Sequence, residues 1–89
     1  MAALTKAYTI NSTAWSLVAQ NASEVFILAN KQYDVDLYIG SVAPSNTTQD
    51  YITIESDDNF SASSLVSGTD VVYIRCAAPV AITVKVLTL

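Results

Sequence analysis

Eight carboxylates and four basic side chains carry all the charge of this chain, and histidine is missing. Any chemistry must come from acids, the four basic groups, hydroxyls, aromatic rings and one thiol. Asp34 and Asp36 stand two apart, so on an extended strand they share a face. Asp57 and Asp58 adjoin in a turn-rich stretch. Either pair offers oxygen ligands to a hard cation such as calcium. Neither has the spaced ligands and glycine of a calcium loop, so solvated turn carboxylates are the plainer expectation. Paired carboxylates also serve glycoside hydrolysis, but a chain of 89 residues offers little depth for a cleft.

Nucleophilic catalysis needs an activated Ser or Cys beside a positioned base, and without His only Lys or a carboxylate is available. Cys76 lies on an apolar strand face, where a buried, inert thiol is expected. A lone Cys allows no internal disulfide and no zinc site. Neighbouring Arg75 points to the opposite face. It is expected either to pair with a carboxylate across a subunit boundary or to stand as a surface charge. Asn-x-Ser/Thr triplets begin at Asn11, Asn21, Asn46 and Asn59. They read as a turn surface, because Asn and Ser side chains bond the nearby backbone. Trp15 reads as a core plug, or else as a sugar-stacking platform. Tyr38 and Tyr51, facing outward, suit contact with protein or carbohydrate. The expectation is a protein that is not an enzyme and holds no cofactor or metal.

The elements that must position these groups are strands. The organising stretch is 25–40, VFILANKQYDVDLYIG. Residues 25–30 are apolar on both alternating faces. In 35–39, Val35, Leu37 and Ile39 oppose Asp36 and Tyr38, the period-two signature of a strand. The short polar turn Lys31-Gln32-Tyr33-Asp34 predicts a hairpin between them. Further strands are expected at 7–11, at 51–55 with Ile52 and Ile54 inward, at 71–76 and at 80–89. Residues 14–18 fit either a short helix capped by Thr13 that buries Ala14, Leu17 and Val18 or a strand with Trp15, Leu17 and Ala19 on one face. The strand is preferred because the rest of the chain reads as β. Residues 60–65 read as a loop or a weak edge strand. Pro44 keeps the 41–50 stretch out of a central ladder. About seven short strands with frequent turn signals predict a single all-β, antiparallel β-sandwich domain over residues 1–89.

A domain of this size buries only roughly 60–65% of its unfolded surface. Such domains lean on disulfides, metals or oligomerisation, and the residues present leave oligomerisation. The composition agrees: 52% hydrophobic against 13% charged leaves more apolar strand surface than one thin interior hides. The expected oligomer interface is Phe26, Leu28, Val71 and Tyr73, with Arg75 at the rim. Ile27 and Ile74 then face the core, or the two faces are exchanged. No apolar run approaches the roughly 18 residues of a membrane helix, and no basic head with a long apolar run opens the chain, so synthesis in a cytosol without membrane insertion is expected. The net charge of −4, with only Lys6, Lys31, Arg75 and Lys85 as cations, suits phosphate neutralisation poorly and argues against nucleic acid as a partner.

The order of signals resembles a known group. Trp15 precedes Gln20-Asn21-Ala22-Ser23 and an apolar strand. A strand ending in Gly40 follows, with Pro44 soon after. Gly68 then leads to VYIR at 72–75 and a closing Val/Ile strand at 80–86. This is similar to the small β-sandwich virion proteins of tailed bacteriophages, which include capsid decoration (cement) proteins and head-fibre or tail modules. The resemblance spans roughly residues 15–86. It implies a trimeric or otherwise oligomeric, non-enzymatic protein, synthesised in the host cytoplasm and bound to the major capsid protein lattice on the outside of a phage head. The alternatives are a carbohydrate- or receptor-binding module and a tail or neck component or secreted adhesin subunit.

Overall fold

β-Branched residues at alternate positions build the interior of this molecule. The structure, a computed structural model, describes residues 3–28, 32–56, 58–63, 65 and 69–89. These form eight strands: β1 (Leu4–Ile10), β2 (Ser16–Gln20), β3 (Val25–Leu28), β4 (Val35–Gly40), β5 (Ile52–Ile54), β6 (Asn59–Ala62), β7 (Val71–Cys76) and β8 (Ile82–Thr88). Sheet I has the order β1-β8-β3-β6 and sheet II the order β2-β7-β4-β5. All pairings are antiparallel. The all-β sandwich is thus present, with one strand more than the sequence suggested, because the weak 60–65 segment supplies β6 at a sheet edge.

The pairing has a simple logic. The first strand pairs with the last, the second with the seventh, the third with the sixth, and the fourth with the fifth. The chain is in effect one long antiparallel ribbon, rolled so that β8 also pairs with β3 and β7 with β4. That is the strand order of a jelly roll, a two-sheet architecture found in viral capsid and lectin domains among others.

Rolling the ribbon corrects the expected hairpin. β3 pairs with β6 and β8, whereas β4 pairs with β5 and β7. The chain therefore crosses from one sheet to the other between residues 28 and 35. A short polar connection suits an arch between sheets as well as a hairpin within one, and only the long-range partners distinguish them. Ala29, Asn30 and Lys31 of that turn lie outside the described residues, as do Asp57 and Gly68.

The two inner faces meet in one cluster. Val25, Ile27, Val84 and Val86 come from sheet I, and Val35, Leu37, Val72, Ile74 and Cys76 from sheet II, all almost wholly buried. Burial alternates strictly along β7 and β8 until the last turn of the chain. At about 25 cal/mol per Å² of apolar surface, this cluster is the main driving term of folding.

Turns are fixed by local polar chemistry. Asn11 Oδ1 accepts hydrogen bonds from the Thr13 and Ala14 N–H groups at 3.0 and 3.2 Å and from Thr13 Oγ1 at 2.8 Å, an Asx turn. Asn21 adopts φ 58°, the left-handed region that Asn tolerates better than most residues. A bulge between Leu17 and Ala19 shifts β2 against β7. It overturns the expected shared face of Trp15, Leu17 and Ala19: Ala19 and Val18 are buried, and Leu17 is exposed. Leu89 is tied to the β2–β3 connection through N–H groups of Ser23 and Glu24 and its own N–H to Glu24 O.

Candidate functional site

On the outer face of sheet II, the cross-strand register sets Asp36 beside Arg75 and Tyr38 beside Tyr73. Asp36 also pairs with Thr53 of β5. These residues have the parity opposite to Leu37 and Ile74, so they point away from the core. Arg75 Nη2 lies 3.4 Å from Asp36 Oδ2, with the two side chains 13% and 9% exposed. Thr53 Oγ1 donates to Asp36 Oδ1 at 3.1 Å. Arg75 Nη1 donates to the Asn46 carbonyl at 3.2 Å, which pulls the 41–50 loop over the strand face.

Trp15, just ahead of β2, lies across this pair. The Arg75 guanidinium carbon is 4.2 Å from the centre of the Trp15 ring and 5.4 Å from that of Tyr51. Trp15 also meets Tyr51 edge-on at 5.7 Å and Tyr38 at 6.2 Å, and Tyr38 meets Tyr73 at 6.3 Å. Cation–π and edge-to-face contacts of this kind each contribute on the order of 1 kcal/mol. The result is a second, polar-aromatic cluster outside the main core. Trp15 is therefore not the core plug expected from its type. It is half-buried on an outer face, with the buried indole N–H making no hydrogen bond. Arg75 takes its carboxylate from its own chain rather than across a subunit boundary or from none.

Asp34 and Asp36 are not solvated turn groups. Asp36 is buried, and Asp34, half-buried, accepts the Ser56 N–H at 2.8 Å. Among the described residues no three His, Cys, Asp or Glu side chains gather as a metal site would require. Cys76 is a free, buried thiol on the inner face.

The outer face of sheet I is different in kind. Phe26 sits opposite Leu87, and Leu28 opposite Lys85. Phe26 and Leu28 are exposed and Leu87 half-buried. With Thr5, Lys85 and Val86 they line a shallow depression of about 200 Å³. The residues expected to form one interface are thereby divided. Ile27 and Ile74 do face the core, and their neighbours do face outward. However, Phe26 and Leu28 are on sheet I while Val71, Tyr73 and Arg75 are on sheet II, so the sandwich separates them onto opposite sides. Tyr73 and Arg75 are already engaged by the aromatic cluster.

Among the described residues, openings at the sandwich rim include a cleft and a groove. Leu37, Ile39, Gln49, Asp50, Tyr51 and Ile52 line a cleft of about 410 Å³ where β4 outruns the three-residue β5. Ile52, expected inward, is exposed there at 56%. On the other side, a groove of about 320 Å³ runs between β1 and β2, lined in part by Leu4, Lys6, Tyr8, Leu17 and Val18. Sequence reasoning missed both, because an opening depends on how far one sheet overlaps the other. Among the described residues no helix is long and apolar enough to cross a membrane. Comparison of the chain with protein-family models, curated proteins and solved structures gave no match.

Proposed function

We propose that this chain is a non-enzymatic structural subunit that binds copies of itself and coats a larger protein lattice. The setting is the outside of a tailed-phage head, to which the sequence resemblance points. The observation that carries this reading is the outward row of Phe26, Leu28 and Leu87 on sheet I, in which Phe26 and Leu28 are exposed and Leu87 is half-buried among the described residues. Low charge density favours packing against protein, and the acidic balance disfavours packaged DNA. The jelly-roll order supports it by analogy of fold alone, since that architecture also hosts other functions. The test is mass spectrometry of intact phage particles, purified from the source on a density gradient. Many copies per particle, lost together with surface protein under mild denaturant, are expected. Absence from purified particles would overturn the reading.

A specific observation favours a second reading, a carbohydrate- or receptor-binding module. The cleft beside Tyr51 combines an aromatic ring with the amide of Gln49 and the carboxylate of Asp50, the mixture that sugar hydroxyls and ring faces require. Trp15 itself is less suited to stacking, because Arg75 occupies its ring. Glycan-array binding that disappears in Tyr51→Ala would establish this reading; an empty array would remove it.

A further inference from the structure

Four strands have an open edge in this sandwich: β1 and β6 in sheet I, β2 and β5 in sheet II. Open edges offer unpaired N–H and C=O groups to another chain, and proteins blunt them with shortness, bulges or charge. Three of the four are blunted. β5 and β6 have three and four residues, and Asp50, Glu55 and Asp58 flank them in sequence. β2 is bulged. β1 is neither short nor bulged, and Lys6 is the one charge on it. It runs seven residues in continuous register with β8 and is exposed over most of its length. A groove of mixed polar and apolar lining opens beside it between β1 and β2, with Leu4 60% and Leu17 40% exposed.

Charge selects the occupant. Two copies of a chain with net charge −4 repel each other, yet no carboxylate lies on β1, β2 or β8, which carry Lys6 and Lys85 instead. Most acids lie on or beside β4, β5 and β6 in sequence, with Glu24 ahead of β3 and Asp70 ahead of β7. The β1 side is therefore where like copies approach at least electrostatic cost. We infer that β1 is a docking edge for β1 of a second copy, paired antiparallel about a two-fold axis and extending sheet I from one copy into the next. An antiparallel strand pair is self-complementary, so one surface serves both partners. Centred on Ala7, the pairing sets Lys6 opposite Tyr8 of the second copy. Within one chain the Lys6 ammonium already lies 5.2 Å from the centre of a Tyr8 ring. The same register sets Thr5 opposite Thr9, both exposed, and brings the two β1–β2 grooves to one side of the joined sheet. This inference rests on the self-association in the proposed function. It assigns that association to a strand edge rather than to the outer sheet faces, and to pairs rather than trimers.

The experiment is sedimentation velocity of the full chain over a wide concentration range, with hydrogen exchange read at both ends of that range. The expected result is a reversible dimer in which amides of β1 exchange more slowly at high concentration. The double variant Thr5→Lys/Thr9→Lys places lysines opposite each other across the pair. It should weaken association at least about tenfold, because like charges directly opposite on paired strands repel, while the circular dichroism spectrum stays unchanged. If the variant does not fold, β1 protection in the unaltered chain decides. A dimer or trimer without β1 protection would overturn the edge assignment and leave self-association standing. A monomer at every concentration would overturn both.

Discussion

Arg75 stacks on Trp15: the guanidinium carbon lies 4.2 Å from the indole centre, while the same guanidinium reaches Asp36 on its other side. One side chain thus joins a residue before β2 to a strand two places away in the sheet. Trp15→Ala is expected to cost about 2 kcal/mol, below the range for fully buried Trp because the ring is only half-buried. Trp15→Phe should recover roughly half of that by keeping a ring face for Arg75. Urea unfolding followed by circular dichroism measures both, since Trp15 is the sole Trp and its fluorescence is lost in the variants. A loss indistinguishable from zero for Trp15→Ala would mean the cluster does not form.

The ion pair beneath that ring is shielded enough for its loss to be asymmetric. Arg75→Met leaves the Asp36 carboxylate buried with Thr53 as its remaining side-chain donor. Leaving a buried charge uncompensated costs about 3 kcal/mol, whereas removing both partners is often nearly neutral. Asp36→Leu combined with Arg75→Met should therefore be more stable than Arg75→Met alone. A single-variant cost of about 1 kcal/mol or less would place the pair among ordinary surface ion pairs. A double-mutant cycle from denaturant midpoints separates these cases.

The sequence made the strands legible wherever one face is apolar and the other is not. β7 and β8 alternate in burial, but 25–30 and 71–76 are apolar on both faces, so the period alone does not decide whether Ile27 and Ile74 or Phe26 and Tyr73 turn inward. The sequence also left open which strands pair. The β3–β4 connection read as a hairpin because residues 31–34 satisfy its local requirements, while the true partners of β3 lie more than thirty residues downstream. The same gap explains the divided interface: outward parity places Phe26 and Tyr73 off the core, but only sheet membership puts them on opposite sides. Trp15 was misplaced because size argues for burial without saying where. The bulge at 17–19 carries no marker in the residues themselves.

Cys76 offers a direct measure of core opening. Its residue is 1% exposed on the inner face, so a thiol reagent must wait for the sandwich to open. Labelling in native buffer should be slower than in the denatured chain by a factor that tracks the unfolding equilibrium. Ile74→Ala, which removes a wholly buried neighbour on β7, should destabilise by about 2–5 kcal/mol and accelerate labelling accordingly. Leu28→Ser, on the outer face, should change the rate little. Rapid labelling of the unaltered chain in native buffer would contradict the buried placement.

Gly40 and Tyr38 share a face of β4, and the ring of Tyr38 folds back over the glycine. A Cβ added at Gly40 would lie 2.7 Å from Tyr38 Cζ and closer still to its hydroxyl oxygen. That hydroxyl donates to the Val42 carbonyl at 2.9 Å, so the ring holds the start of the 41–50 loop as well as contacting Trp15 and Tyr73. Gly40→Ala must push the ring aside. The hydrogen bond contributes about 1 kcal/mol, and displaced aromatic contacts add roughly as much again. A destabilisation of about 1–2 kcal/mol is expected on those grounds, with a shift in Trp15 emission as its neighbour moves. In a Tyr38→Ala background the obstacle is gone, and Gly40→Ala should then be neutral or slightly stabilising, because alanine restricts the unfolded chain more than glycine does. Equal costs in the two backgrounds would show that the two positions act independently, and the role of Gly40 would have to be sought in the backbone instead.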